Sequence, residues 1–86
     1  MKKLPLSCVP IGAVGFVDCV ADISSKKRLV EMGFTKKARV IPLHISPGGD
    51  PVAYFVKGVV IAVRHEDAEN IFVTIGEEWL WIRRKP

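Results

Sequence analysis

Few side chains in this chain could do chemistry, and they are scattered. The only imidazoles are His44 and His65, and the only thiols are Cys8 and Cys19. His65 is followed by Glu66 and Asp67, with Glu69 two residues on, so one nitrogen and several carboxylates lie close in sequence. Such a mixture suits iron or zinc, which makes His44, His65 and Glu66 the metal-ligand candidates. The same residues equally describe a polar turn with acids at the start of a short helical segment, and that is the expectation. The thiols form no CxxC pair and no Cys/His cluster at zinc spacing. They read as small apolar residues in a reducing compartment. There is no Ser/His/Asp or Cys/His arrangement, and no GxxxxGK[ST] phosphate loop. The expectation is therefore a non-enzyme with no catalytic residues and no bound cofactor, a transition metal ion being the one alternative. The chain cannot itself be a GTPase.

What remains is surface chemistry. Lys and Arg number 13 against 9 Asp and Glu, a formal net charge of +4. The cations cluster at Lys26-Lys27-Arg28, Lys36-Lys37 and Arg83-Arg84-Lys85. That balance favours an acidic protein surface, an anionic headgroup layer or nucleic acid, with solvated surface charge as the plain alternative. Lys26, Lys27 and Arg28 are the most informative group. They occupy a helical first turn, where the helix dipole disfavours cations by roughly 0.3–1 kcal/mol each. The fold does not need them there, so they are a candidate lip for an anionic partner.

The elements that position these groups are mostly strands. Ala13 to Ala21 reads as a strand with Val17 and Cys19 on one face and Phe16, Asp18 and Val20 on the other. Ser24 to Met32 reads as the one clear helix, N-capped by Ser24 or Ser25. Gly33 stands where a left-handed stop is wanted, and Phe34 can pack back on Leu29. Ala38 to Ser46 is a second long strand with Ile41, Leu43 and Ile45 on one face; Pro42 predicts an edge or a bend. After the Ser46–Pro51 loop, Val52 to Arg64 reads as a two-stranded ribbon broken at Gly58. Glu66 to Asn70 is a single helical turn, and Ile71 to Ile75 a last strand. About five short strands with one inserted short α-helix predict a mainly β fold, a small barrel of SH3-like type. So short a chain closes a sheet on itself because it cannot cover an open one.

In the ribbon, alternation places Val52, Tyr54, Val56, Ile61 and Val63 inward. Ala53, Phe55 and Val60 then face outward on neighbouring strands. Contiguous exposed apolar surface marks an interface. The segment Trp79-Leu80-Trp81-Ile82, followed by Arg83-Arg84-Lys85, adds four large apolar residues beyond the barrel. Three destinations compete: over Phe55 and Val60 in its own chain, across a second copy, or, as the weakest, at the membrane surface; the dimer is the favoured reading. Phe55, Val60, Trp79 and Trp81 therefore join the lysine lip as partner-binding candidates. The expected organisation is a barrel over residues 1–75 and an apolar, basic extension over 76–86.

The N-terminus, with two lysines and then Leu4 to Ser7, is too short and too proline-interrupted for a signal peptide's apolar region of ~7–15 residues. The longest apolar run, Val9 to Val17, is broken by Pro10, Gly12 and Gly15 and falls short of the roughly 20 residues that span a bilayer. A cytoplasmic protein is expected.

Three motifs in order then resemble a known family. They are Arg28-Leu29-Val30-Glu31-Met32-Gly33-Phe34, the Gly49-Asp50-Pro51 turn, and Val52-x-Tyr54-x-Val56-x-Gly58-x-x-Ile61-Ala62-Val63-Arg64. Together they look like FeoA, the small ferrous iron transport protein A, over about residues 6 to 75. The resemblance implies an SH3-like barrel and a cytoplasmic accessory that binds or regulates the large GTP-binding ferrous iron permease. It also implies contact with the membrane only through that permease, at its inner face. A related barrel occurs in metal-dependent repressors, so a metal-sensing or nucleic-acid-binding small barrel is the alternative function. No strand interleaves aromatic and basic residues to stack bases, and nucleic acid is not an expected partner. The family's outward ribbon positions are usually polar, where this chain has Ala53, Phe55 and Val60.

Overall fold

The computed structural model describes residues 2–76. In chain order they form β1 (Lys2–Pro5), a single 3₁₀ turn (Leu6–Cys8), β2 (Gly15–Val20), α1 (Lys26–Met32), β3 (Arg39–Ile45), β4 (Val52–Val56), β5 (Val59–Val63), α2 (His65–Ala68) and β6 (Ile71–Ile75). The strands make one sheet in the order β1-β6-β2-β3-β4-β5, antiparallel throughout. Side chains from all six meet in one core: Leu4, Val17, Val20, Val40, Tyr54, Val56, Val63, Ile71, Val73 and Ile75, joined by Leu6, Leu29 and Phe34 from the connections. A sheet whose strands all share one core is curled on itself, as expected of a mainly β small barrel.

The strand β1 is one more than the sequence predicts. Its four residues carry one buried apolar side chain, Leu4, too little for an alternation to show. Pairing makes it: Lys2 to Pro5 run against Ile75 to Phe72 of β6. Lys3 then reaches over β6, its Nζ 5.8 Å from the Phe72 ring centre and 3.0 Å from Asp18 on β2. This pair raises the Lys3 pKa and holds the Asp18 carboxyl below its ordinary value.

Two bulges overturn the faces expected from alternation. In β2 the register slips between Val17 and Cys19, so Val20 rather than Cys19 follows Val17 into the core. Cys19 is exposed, contrary to its expected place on the Val17 face, and Cys8 is exposed too. In β3 the register slips between Pro42 and His44. Val40 and Pro42 point inward, while Ile41 is half-buried and Leu43 and Ile45 are exposed. Pro42 is tolerated because its ladder side faces away from β4. There the loop before β2 meets it, the Gly12 N–H donating to the Pro42 carbonyl at 2.8 Å, and no donor is asked of the proline.

The helix stop is as the sequence predicts. Phe34 N–H donates to the Leu29 carbonyl at 3.2 Å and Gly33 N–H to Val30 at 3.1 Å, the pair of bonds that defines a Schellman ending. Gly33 sits at φ 126°, and Leu29 and Phe34 are both buried beside it. The helix start differs. Ser25 is the N-cap residue, yet its side chain makes no capping bond; its hydroxyl donates instead to Asp67 at 2.9 Å.

Candidate docking surface

The first turn of α1 carries the lip. Lys26 and Lys27 are exposed, and among the described residues neither meets an acid. Arg28 does not share that freedom. Its Nη2 lies 3.1 Å from Asp67 Oδ2, while its Nη1 is 3.8 Å from Met32 Sδ along the helix. With Ser25 on the other carboxylate oxygen, Asp67 pins α1 to α2. The three predicted cations thus divide into two free lysines and one tether. A shallow hollow at this end is lined by Ile23, Val30, Lys26, Lys27 and Glu31. Asp22 lines it too, so an apolar floor is rimmed by two lysines and two acids, and the cationic character is confined to the Lys26-Lys27 turn itself.

The second candidate patch lies on the outer face of the sheet. Ile41, Phe55 and Val60 stand in register across β3, β4 and β5. Val60 is 60% exposed, and Ile41 and Phe55 are half-buried. Ala53, expected beside them, is instead buried at 7%. The Leu43 bulge shifts the register, so that Ala53 pairs with His44 and its small side chain is covered. Trp79 and Trp81, predicted to cover this row, lie outside the described residues.

The histidines do not converge on a metal site. His44 is exposed on β3 and His65 opens α2. His65 Nε2 is 3.7 Å from Glu69 Oε1, one turn along. Among the described residues, no three His, Cys, Asp or Glu side chains gather as a ligand set. The acidic segment is tied to the loop before β4. Asp50 Oδ1 accepts the His65 backbone N–H at 2.9 Å and Oδ2 lies 3.8 Å from Arg64 Nη1. Asp50 therefore caps α2 from a distance, a role its own turn does not announce. Nearby, Tyr54 lines a cleft with Val9, Ile11, Ile45 and Val52. Burial, with a further push from the Asp50 carboxylate, raises its pKa to about 12.

Sequence reasoning missed the exposed apolar residues Ile11, Phe16 and Ile45. The signal for Ile45 was Pro42: a strand bent there exchanges its faces. Among the described residues, no helix is long and apolar enough to cross a membrane.

A family model described as the FeoA domain matches residues 4–75. Comparison with curated proteins gives no match. Among solved structures, the FeoA protein of Chlorobium tepidum is 30% identical, with a TM-score of 0.77 over 84% of this chain and 70% of its own. The zinc-complexed FeoA of Stenotrophomonas maltophilia is 29% identical, with a TM-score of 0.73 over 83% of this chain and 89% of its own. That protein is described as a procaryotic SH3 domain protein and a candidate ferrous iron transport activating factor. A manganese-dependent transcriptional repressor shares the fold at 14% identity, with a TM-score of 0.77 over 87% of this chain and 42% of its own.

Proposed function

This chain belongs to the FeoA family, which is associated with ferrous iron transport, and on that premise we propose that it is a cytoplasmic accessory of the ferrous iron permease. It acts by docking on the permease's GTP-binding domain, not by catalysis. The observation that carries the reading is the family match over residues 4–75, which spans nearly the whole barrel including α1. The docking element is the first turn of α1. Two lysines that form no ion pair among the described residues stand where the helix dipole disfavours them, so an anionic partner relieves that cost. Arg28 contributes indirectly, holding the turn against α2 through Asp67.

The test is binding of the full chain to the isolated GTP-binding domain, with Lys26→Glu and Lys27→Glu combined. Reversing two rim charges should slow association and weaken affinity by about tenfold or more at low salt. Arg28→Ala should act mainly through stability. Unchanged binding by the double variant would remove the lip from the mechanism and move docking to the outer face at Phe55 and Val60.

A further inference from the structure

The strand β5 ends the sheet, paired with β4 on one side only. Its sequence Val59-Val60-Ile61-Ala62-Val63 has no charge, no proline and no bulge, so it lacks the devices that keep a strand edge from pairing. The two-residue turn Lys57-Gly58, both at positive φ, closes the ribbon on Val56 and Val59. In a hairpin closed that way, Val56↔Val59, Tyr54↔Ile61 and Val52↔Val63 are the hydrogen-bonded pairs. The backbone N–H and C=O groups of Val60 and Ala62 must therefore point away from β4. Among the described residues none of them has a partner outside that ladder. Nor does α1 pair with this edge: no α1 backbone group bonds to β5, and at its Ala62 end the edge borders an open cleft walled on the far side by Arg28 and Met32. Val60 and Ala62 are exposed, and Phe55 and Ile41 extend the apolar surface behind Val60.

We infer that β5 is an interface for a second copy of this chain, pairing antiparallel with its own counterpart about a twofold axis at Ile61. This register sets Val60 against Ala62 of the second copy, and Ala62 against its Val60. All four outward donors and acceptors on each strand are then used. Centring on Val60 or Ala62 instead would require groups from the Lys57-Gly58 turn or from Arg64, whose carbonyl already accepts Asp67 and Ala68 N–H. The flanks agree in charge. Lys57 comes opposite His65 with Glu66 beside it, and Arg64 comes opposite Gly58, so no two cations meet. Val60 and the opposing Ala62 would be side by side on the outer face, continuing the Ile41-Phe55 row across the axis.

The test is sedimentation equilibrium of the full chain at high-micromolar concentration, with Val60→Lys and Ala62→Pro. Both substitutions are at an exposed edge, and Ala62→Pro removes only an N–H that the monomer leaves unused. Leu43→Lys is the control for lost exposed apolar surface. The expected result is twice the 9.5 kDa chain mass. Dimer affinity should fall about tenfold or more for both edge variants, since an edge lysine or proline blocks strand addition, and remain unchanged for the control. Amide exchange at Val60 and Ala62 should slow as the dimer forms. A monomer whose Val60 and Ala62 amides are already protected would mean that residues 77–86 cover the edge, and would overturn the inference. So would a monomer with fast-exchanging edge amides, or a dimer indifferent to both edge substitutions.

Discussion

Replacing Gly33 separates a backbone effect from a packing effect. At φ 126° a residue with a Cβ carries strain of about 1–2 kcal/mol, the cost of the left-handed region to L-residues. At Gly33 there is a second cost, because a Cβ would lie 3.2 Å from Val56 Cγ1, and Val56 is completely buried with nowhere to retreat. Gly33→Ala should therefore destabilise the fold by about 1–3 kcal/mol. Gly33→Val should exceed it, since its branches press on the same methyl. Gly58 is the comparison. Its φ is 84°, but a Cβ there would meet nothing within 4 Å, so Gly58→Ala should cost the backbone term alone. For a domain of this size each kcal/mol lowers the melting temperature by roughly 4–8 °C. Thermal unfolding followed by far-ultraviolet circular dichroism gives the ranking Gly58→Ala, Gly33→Ala, Gly33→Val in increasing damage. Equal losses at the two glycines would refute the packing argument. An unchanged midpoint for Gly33→Val would refute the Schellman ending itself.

Two further outcomes follow from contacts that join distant parts of the chain. Asp50→Ala should uncap α2 and cost about 1 kcal/mol, as loss of an N-terminal cap does, while Asp50→Asn should retain much of it; urea unfolding of both variants checks this. Tyr54 is the only tyrosine, so tyrosinate absorbance reports it directly. Its folded pKa is raised from 10.0 to about 12, so the unfolded chain ionises first as pH rises. The stability it contributes is complete below pH about 10 and is lost as pH climbs toward about 12. A tyrosinate midpoint near 10.0 in the folded protein would show the ring to be solvated.

Local signals in the sequence were the reliable ones. Gly33 after Met32, and Gly58 between two β-branched runs, each carry their conformation in a few adjacent residues, and both are found as expected. The β5 positions also alternate as read, with Val60 out and Val63 in. What alternation could not show was set by pairing. The extra residues at Asp18 and Leu43 exist only relative to a neighbouring strand; they moved Cys19 out of the core and set Ala53 opposite His44, where it is covered on the outer face. The strand β1 exists because β6 accepts it. At the candidate site, the place of Lys26 and Lys27 in the first turn of α1 was legible. The tether of Arg28 was not, because its partner Asp67 is 39 residues away, and Asp50 lies 15 residues from the amide it caps. Sequence neighbours give no hint of either.

Docking of this barrel on the permease's GTP-binding domain, through charge at α1, is tested most directly by isothermal titration of the full chain into that domain across a salt series. Saturable binding is expected. It should weaken steadily as salt screens the Lys26-Lys27 turn, the Debye length being about 10 Å at 0.1 M. Absence of binding at low salt by a chain that remains folded would contradict it.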